Sequence, residues 1–531
     1  MSDDWPWWRD AVIYQIYPRS WRDSDRDGVG DLPGILQRLD HLTRLGVEAF
    51  WVSPFYPSPM ADFGYDVSDY TGVDPLFGTM ADAERLIEEA HARGLKVVLD
   101  FVPNHSSDRH PWFQAARSSR DDPHRDWYIW ADPAPGGGVP NNWISAAGGP
   151  AWTFHEGTGQ FYLHSFLPQQ PDLNWRNPAV REAMLGAMRF WFERGVDGFR
   201  LDVVYRCIKD DRLRDNPPNP GFDPARDHPE RSLEPLYTAD RPEVMELVVE
   251  PMRRLARAYG DRLLIGEIYL PIERLVSYYG ADSGVHLPFN FALIFADWTA
   301  PALRDLIRRY EALLPEGGWP NWVLGNHDQP RIASRVGDAQ ARVAMMLLLT
   351  LRGTPTLYYG DEIGMRDVPI PPDRVRDPWE INVPGLGEGR DPCRTPMRWA
   401  AGPNAGFCPH GVEPWLPMGG DLDTINVAAQ VKDPHSMLSL TQALLTLRRE
   451  RAALRAGGYE AVEAEGEALV VRRARGADAV TVALNLSGRE VRVAARGRVL
   501  VSTHPGAGGP FEGVLRPDEG VVLDSSVEGG R

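Results

Sequence analysis

Strand-like and helix-like segments alternate along most of this chain, and this alternation limits the fold more than any other feature. Eight short apolar runs are typical of strands, at 12–17, 47–52, 96–102, 198–204, 263–267, 289–293, 322–328 and 356–360. Amphipathic runs such as 81–93 and 180–194 lie between them, each followed by a glycine suited to ending a helix. Eight βα units favour a closed barrel over an open doubly wound sheet. We therefore predict an α/β fold, a (β/α)8 TIM barrel.

Three segments interrupt the alternation, and the composition changes near the end of the chain. Residues 104–175 follow the third strand, are rich in Trp, Phe, Pro and Gly, and predict a small inserted domain. Residues 209–241 follow the fourth strand and 364–433 follow the eighth. Short Val-rich runs with turn signals then predict a C-terminal all-β sandwich domain. The predicted domains are a first barrel part (1–103), the inserted domain (104–175), a second barrel part (176–457) and the β domain (458–531).

Three of the predicted strands end in an acidic residue. In Gly198–Val204, Arg200 and Asp202 are separated by one residue and therefore point to the same side. Two other strands end in Glu267 and Asp328. An isolated Arg-x-Asp is commonly a structural ion pair worth little. Three acids at the C-terminal strand ends, where barrel enzymes carry their sites, indicate a functional site instead.

Paired carboxyl groups fit the cleavage of a glycosidic bond. One acid protonates the leaving oxygen, and the other carboxylate attacks or stabilises the anomeric carbon. Because Arg200 is close to Asp202 in sequence, we expect Asp202 to stay ionised. Glu267 has no cation beside it in sequence, and a raised pKa would suit a general acid.

Four short motifs resemble, in order, the four regions of glycoside hydrolase family 13, the α-amylase family. They are Asp100-Phe101-Val102-Pro103-Asn104-His105, Gly198-Phe199-Arg200-Leu201-Asp202, Gly266-Glu267 and Asn326-His327-Asp328. The resemblance runs from about Trp8 to the C-terminal domain. It implies Asp202 as nucleophile, Glu267 as acid/base and Asp328 as transition-state stabiliser. It also implies that His105, Arg200 and His327 contact the non-reducing glucose.

Two further motifs extend the sugar site that the resemblance implies. In Asp62-Phe63-Gly64-Tyr65-Asp66, Asp62 would anchor a hydroxyl and Tyr65 would be a stacking platform. In Arg394-Thr395-Pro396-Met397-Arg398-Trp399, Arg394 would clamp the same sugar. Phe154 and Phe166 are candidates for an aromatic wall, with a place in the core as the alternative.

The segment Gln170-Pro171-Asp172-Leu173-Asn174-Trp175 resembles the oligo-1,6-glucosidase and α-glucosidase branch of the family. This implies a retaining exo-acting α-glucosidase with short substrates and a covalent glucosyl-enzyme. Val203, after the nucleophile, favours α-1,6 linkages and would face the leaving group, whereas 213–218 resembles a loop of enzymes that prefer α-1,4 linkages. The alternatives are a glucosyltransferase or sucrose isomerase on the same site, or a non-catalytic sugar-binding or transporter-associated barrel.

Acidic residues alternate in the segment 23–31, in an order similar to an EF-hand loop. The expected oxygen ligands are Asp23, Asp25, Asp27, the Val29 carbonyl and Asp31. Because close like charges repel unless a cation joins them, we predict one structural divalent cation, Ca²⁺ or Mg²⁺. Gly34 stands where an EF-hand carries its twelfth-position Glu, so the metal identity stays open.

Composition narrows the partners and the compartment. The net charge of −17 argues against a nucleic-acid backbone or an anionic membrane as partner. Three cysteines without a CxxC pair argue for a reducing compartment. The acidic, Trp-rich start is unlike a signal peptide, and the longest apolar run, 343–351, is too short to cross a bilayer. We predict a cytoplasmic monomer or weak homo-oligomer that acts on a short sugar without an organic cofactor.

Overall fold

The structure is a computed structural model that describes residues 5–280, 283–505 and 508–526. Eight strands form one parallel sheet: β1 Ile13–Ile16, β2 Ala49–Val52, β3 Lys96–Phe101, β4 Gly198–Leu201, β5 Leu263–Gly266, β6 Leu287–Pro288, β7 Asn321–Val323 and β8 Thr354–Tyr358. Their order in the sheet is β7-β8-β1-β2-β3-β4-β5-β6. A parallel bridge between Asn290, just after β6, and Trp322 of β7 closes the barrel. The predicted TIM barrel is confirmed.

The sixth strand is the one strand prediction that fails. The predicted run 289–293 is not a strand, because β6 ends at Pro288 and residues Ala292–Phe295 are helical. The Phe289 N–H still donates to the Gly266 carbonyl at 2.8 Å and Asn290 forms a parallel bridge with Trp322, so the chain leaves the sheet only after Asn290. The Asn290 side chain then accepts a hydrogen bond from the Ala292 N–H at 3.0 Å, which turns the chain into the helix.

Helices cover the outside of the barrel, and their ends follow local sequence signals. Met80–Ala92 begins with a capping box in which Thr79 and Asp82 exchange hydrogen bonds. Pro178–Glu193 begins with an Asn177 cap and a proline in its first turn. The longer helices are Leu39–Leu45, Met80–Ala92, Pro178–Glu193, Glu250–Ala258, Ala300–Leu313, Asp338–Thr350 and Met437–Glu450.

Alternate residues of each strand point into the barrel and form layers, as the period of two requires. The lower layer is apolar and includes Ile13, Ala49, Val98 and Leu263. The layer two residues further along contains Gln15, Trp51, Asp100, Arg200 and Ile265. Asp202 and Glu267 come two residues after Arg200 and Ile265, so both stand at the C-terminal rim. The polar residues of the barrel therefore lie on the C-terminal side of an apolar layer.

The predicted inserted segment contains a small three-stranded antiparallel sheet with its own apolar cluster around Trp143 and Trp152. Its strands are Trp130–Ala131, Trp152–His155 and Gln160–Leu163. Lys209, after β4, ties this segment to the barrel, because its Nζ lies 2.5 Å from Asp172 Oδ2 and 2.6 Å from Asn104 Oδ1. The predicted domain boundaries themselves stay predictions.

The C-terminal part forms a six-stranded antiparallel sheet and a two-stranded sheet that share an apolar cluster. The strands are Gly458–Glu465, Ala468–Arg475, Asp478–Asn485, Gly497–Ser502, Pro510–Phe511, Gly520–Asp524, Val491–Arg492 and Val514–Leu515. The segment after β8 has only short helical turns, among them Pro378–Asn382 and Asp391–Arg394. Within 5–280, 283–505 and 508–526, no helix combines the length and the apolarity needed to cross a membrane.

Candidate active site

Arg200 gathers the two acids of the predicted catalytic pair. Its Nη1 lies 2.7 Å from Asp202 Oδ1, and its Nη2 lies 2.7 Å from Glu267 Oε2. The Val203 N–H also donates to Glu267 Oε2 at 2.9 Å. Two carboxyl groups on the two terminal nitrogens of one guanidinium are close neighbours, which is compatible with the about 5–5.5 Å spacing of retaining glycosidases.

Arg200 lies beneath the acids rather than in the cavity wall. It is 1% exposed, and its Nη1 also lies 2.8 Å from Asp100 Oδ1. Asp100 in turn accepts hydrogen bonds from Trp51 Nε1 and Tyr65 OH. Arg200 thus supports the two acids and does not itself line the cavity, and its expected contact with the sugar stays a prediction.

Burial raises the pKa of both Asp202 and Glu267. Arg200 acts to lower both pKa values, but the surrounding carboxylates add to the rise. The expectation that Arg200 alone holds the pKa of Asp202 low is therefore wrong, because burial and the neighbouring carboxylates of Glu267 and Asp100 outweigh this one cation. The two acids titrate as a pair that holds a proton between them.

Asp328 has the opposite electrostatic setting. Burial acts to raise its pKa, but His327, Arg390 and Arg394 outweigh burial and hold the pKa below its ordinary value. Arg394 Nη2 lies 2.8 Å and Arg390 Nη1 lies 3.2 Å from Asp328 Oδ1. A permanently ionised carboxylate here suits the stabilisation of positive charge in a transition state.

A cavity of about 920 Å³ opens above these acids. Asp202, Glu267 and Asp328 all line it. So do the following members of the predicted sugar site: Asp62, Tyr65, His105, Phe166, Val203 and His327. The structure thus brings all three predicted catalytic residues and six predicted contacts to one concave surface.

The arginine that reaches the cavity beside Asp62 and Asp328 is Arg390, which lies four residues before the predicted Arg394. Arg390 lines the cavity and its Nη2 lies 2.7 Å from Asp62 Oδ1. Arg394 does not line it, is fully buried, and donates from Nε to the His327 carbonyl at 2.7 Å. The motif around Arg394 pointed to the correct turn, but the contact between Asp62 and Arg390 identifies the arginine that lines the cavity there.

Phe166 and Phe154 have different positions. Phe166 lines the cavity, with its ring centroid 5.2 Å from that of His105. Phe154 is 46% exposed, packs on Phe161 and does not line the cavity. Phe154 is therefore neither part of the wall nor part of a core.

Sequence reasoning missed the outer wall of the cavity. Tyr269, Phe295 and Trp379 supply aromatic surface there, and Arg206 pairs with Glu230 at 2.7 Å. These residues lie in loops and insertions without a recognisable motif. The alternation of exposed and buried positions gives no signal in such segments.

The acidic loop near the N-terminus brings three of its predicted ligands together. Oxygens of Asp23, Asp25 and Asp27 lie within 4.8 Å of one another, a donor set that fits a hard divalent cation. Asp31 lies outside this group, because its two oxygens accept the Gly34 and Ser24 N–H groups and cap the helix Leu32–Leu36. The Val29 N–H donates to Asp27 Oδ1 at 2.7 Å.

A parallel barrel with paired carboxyl groups at its C-terminal rim, facing a cavity, is the architecture expected of a glycoside hydrolase. Residues 15–457 match the family model described as alpha amylase, catalytic domain. The chain belongs to the α-amylase family, as the motifs predicted.

Similar proteins cover nearly the whole chain. A probable alpha-glucosidase of Rhizobium meliloti (strain 1021) is 42% identical over 503 residues, which cover 92% of this chain and 90% of that protein. An oligo-1,6-glucosidase of Parageobacillus thermoglucosidasius is 38% identical, with 86% of each chain covered.

Solved structures of similar proteins have the same fold as this chain. The alpha-glucosyl transfer enzyme XgtA superposes with a TM-score of 0.91 at 41% identity, covering 98% of this chain and 100% of that one. The trehalulose synthase MutB from Pseudomonas mesoacidophila MX-45 has a TM-score of 0.89 at 32% identity, covering 98% and 99%.

Proposed function

We propose that this protein is a retaining, exo-acting α-glucosidase that hydrolyses short α-glucosides. The observation that carries the proposal is the placement of Asp202 and Glu267 on one guanidinium at the floor of one cavity. The relatives named alpha-glucosidase and oligo-1,6-glucosidase support this function.

The geometry supports a double displacement. Asp202 attacks the anomeric carbon while Glu267 gives its proton to the glycosidic oxygen, so the leaving sugar departs as an alcohol. Water then attacks the glucosyl-enzyme, Glu267 takes back a proton, and Asp202 is released as a carboxylate. Asp328, held ionised by its arginines, stabilises the positive charge on the sugar in both steps.

The Asp62–Arg390 pair explains why we propose an exo-acting enzyme. The pair lies at the wall of the cavity, and its charged groups are suited to binding the hydroxyls of a terminal glucose. Arg200 and the apolar layer below it close the floor of the cavity, so a chain cannot continue past that glucose.

Transfer to an acceptor other than water is the second candidate activity. The outer wall offers Tyr269, Phe295 and Trp379, apolar surfaces on which a second sugar can stack. XgtA, at 41% identity, is named an alpha-glucosyl transfer enzyme. We propose that water and acceptor sugars compete for the same glucosyl-enzyme.

We further propose a structural divalent cation, Ca²⁺ or Mg²⁺, on Asp23, Asp25 and Asp27. Three carboxylate oxygens within 4.8 Å of one another support it, because such close anions repel without a cation. The loop lies away from the cavity-lining residues, so no catalytic step passes through it.

The three cysteines are free and buried, which supports a reducing, cytoplasmic location. The proposal of a monomer or weak homo-oligomer rests on the sequence alone.

The test is product analysis with maltose, isomaltose, sucrose and trehalulose. We expect glucose to be released first as the α-anomer, seen by NMR within the first turnovers, and glucosyl transfer products to increase with sugar concentration. The matched control is Asp202→Ala, which should lose activity by at least about 10³-fold while its melting curve stays unchanged. Release of β-glucose, or near-normal rates in the control variant, would overturn the proposal.

A further inference from the structure

Gln15 is a polar residue in the middle of a core strand, and the predicted site gives it no role. It lies on β1, is fully buried, and pairs in register with Trp51 of β2 and Tyr358 of β8. Its Nε2 lies 2.8 Å from His327 Nδ1 and 3.3 Å from Ser53 Oγ. A buried amide among barrel residues is costly, so its hydrogen bonds must be accounted for.

His327 is held in one plane by its neighbours. Its ring is stacked on Tyr65, with centroids 5.2 Å apart and planes 4° apart, and on Tyr17, with centroids 5.6 Å apart and planes 21° apart. Its edge nitrogens meet Gln15 at Nδ1 and Asp328 Oδ2 at Nε2, the latter at 3.3 Å. The stacking fixes the ring plane but does not decide which nitrogen carries the proton.

Burial, aided by nearby arginines, keeps the His327 ring neutral. Burial lowers the pKa of His327 well below its ordinary value; Asp328 opposes this, and three arginines add to it. The ionisable or charged groups that face the ring are Asp328, Arg394, Arg200, Arg390, Tyr17 and Tyr65. A neutral imidazole carries one N–H, so one nitrogen donates and the other accepts.

Asp328 decides between the two nitrogens. An ionised carboxylate can only accept, so Nε2 must carry the proton, and Nδ1 is left as an acceptor. An acceptor at Nδ1 needs a donor, which only the NH₂ end of the Gln15 amide can supply. The same NH₂ reaches Ser53 Oγ, while Gln15 Oε1 has no partner among the described residues.

We propose that Gln15 is a positioning residue that fixes His327 in the Nε2–H tautomer, so that the one N–H of His327 faces Asp328 and the sugar-binding cavity. Its part in sugar binding rests on the proposed function, whereas the tautomer itself does not. The residue acts through His327 and does not line the cavity.

The direct test is ¹⁵N NMR of the full chain labelled at histidine. The His327 signals are assigned by their absence from the His327→Gln variant. We expect the protonated ¹⁵N of His327 to be Nε2 and the unprotonated one to be Nδ1, with no change between pH 6 and 8. An Nδ1–H signal in the wild-type protein would overturn the proposal, whatever the activity of the enzyme.

Kinetics of two Gln15 variants provide the second test. Gln15→Met keeps the volume but removes the donor, and we expect kcat/KM to fall by roughly three- to tenfold at every pH. Gln15→Glu places an acceptor at Nδ1 and raises the pKa of His327. As pH rises through that pKa, the ring would keep Nδ1–H and leave Nε2 bare opposite Asp328, so kcat/KM should fall with pH beyond the wild-type decline.

The control is Ser53→Ala, which removes the other partner of the same NH₂ and should leave kcat/KM within about twofold. Thermal melting of each variant separates misfolding from mispositioning. Equal pH profiles for Gln15→Glu and Gln15→Met, or wild-type kcat/KM in Gln15→Met, would contradict the proposed role. An Nδ1–H signal for His327 in the wild-type protein would contradict the proposed role even if every variant were active.

Discussion

At the residue scale, the pocket has too few cations for its acids. Arg200 alone contacts Asp100, Asp202 and Glu267, and burial raises the pKa of Asp100 to about 6. Asp328, with Arg390 and Arg394 beside it, has instead a lowered pKa. The proton that remains in the Asp202–Glu267 pair is the one that general-acid catalysis needs, so the charge balance itself prepares the acid.

This charge balance predicts the alkaline limit of activity. Because the pKa of Glu267 is raised, Glu267 keeps its proton to a higher pH than an ordinary glutamic acid does. We therefore expect kcat/KM for maltose to fall as pH rises through that pKa. The Glu267→Gln variant cannot transfer a proton to the leaving oxygen, so we expect kcat/KM for maltose to fall about 10³-fold. With an aryl α-glucoside, whose leaving group needs little protonation, the variant should form the glucosyl-enzyme without the alkaline decline. A variant that retains a tenth of the maltose activity would exclude Glu267 as the acid.

At the element scale, the strands could be predicted because period-two alternation and apolar runs are local signals. The acids at the ends of β4 and β5 followed from the same alternation. The Asp62–Arg390 contact could not be predicted, since it joins residues 328 positions apart through two loops. Val203 is a similar case. It adopts a left-handed φ of 35°, rare for a β-branched residue, and thereby points its N–H at Glu267.

The loop Asp23–Asp31 shows what the sequence can and cannot predict about a site. Alternating acids predicted a ligand set, but Asp31 is used as a helix cap, a role that depends on where the helix begins. Gly28 of this loop lies where a larger residue would not fit. Its φ is +88°, and a Cβ there would lie 2.1 Å from the Glu413 carbonyl oxygen of the segment after β8. The loop is therefore clamped against a distant part of the chain.

Removal of the proposed cation should weaken this clamp. Chelation with EDTA is expected to lower the melting temperature by several degrees, and added Ca²⁺ should restore it, because a ligand bound only to the native state stabilises it. Asp27→Asn should have a lower melting temperature that EDTA no longer changes. Asp10→Asn, an acidic residue outside the loop, is the control. A wild-type melting temperature indifferent to both EDTA and Ca²⁺ would rule out the site.

At the scale of the whole molecule, the longest apolar run of the sequence joins the barrel to the C-terminal sheet. It lies in the helix Asp338–Thr350, whose residues from 343 onward are all buried. Arg473, on the strand Ala468–Arg475, donates to the carbonyls of Thr350 and Leu351 at the end of that helix. It also donates to the Leu454 and Gly457 carbonyls, so one guanidinium satisfies four carbonyls of the connection.

Replacement of Arg473 should therefore weaken the attachment of the C-terminal domain. Arg473→Met leaves four carbonyls without this donor, and we expect the free energy of unfolding to fall by at least about 2 kcal/mol. Arg472→Met, on the neighbouring position of the same strand, removes only an exposed pair with Glu460 and should cost less than about 0.5 kcal/mol. Urea unfolding followed by tryptophan fluorescence measures both. If the two variants unfold at the same urea concentration, Arg473 does not hold the domains together. If Arg473→Met alone unfolds at a lower urea concentration and in two steps, the C-terminal sheet separates before the barrel unfolds.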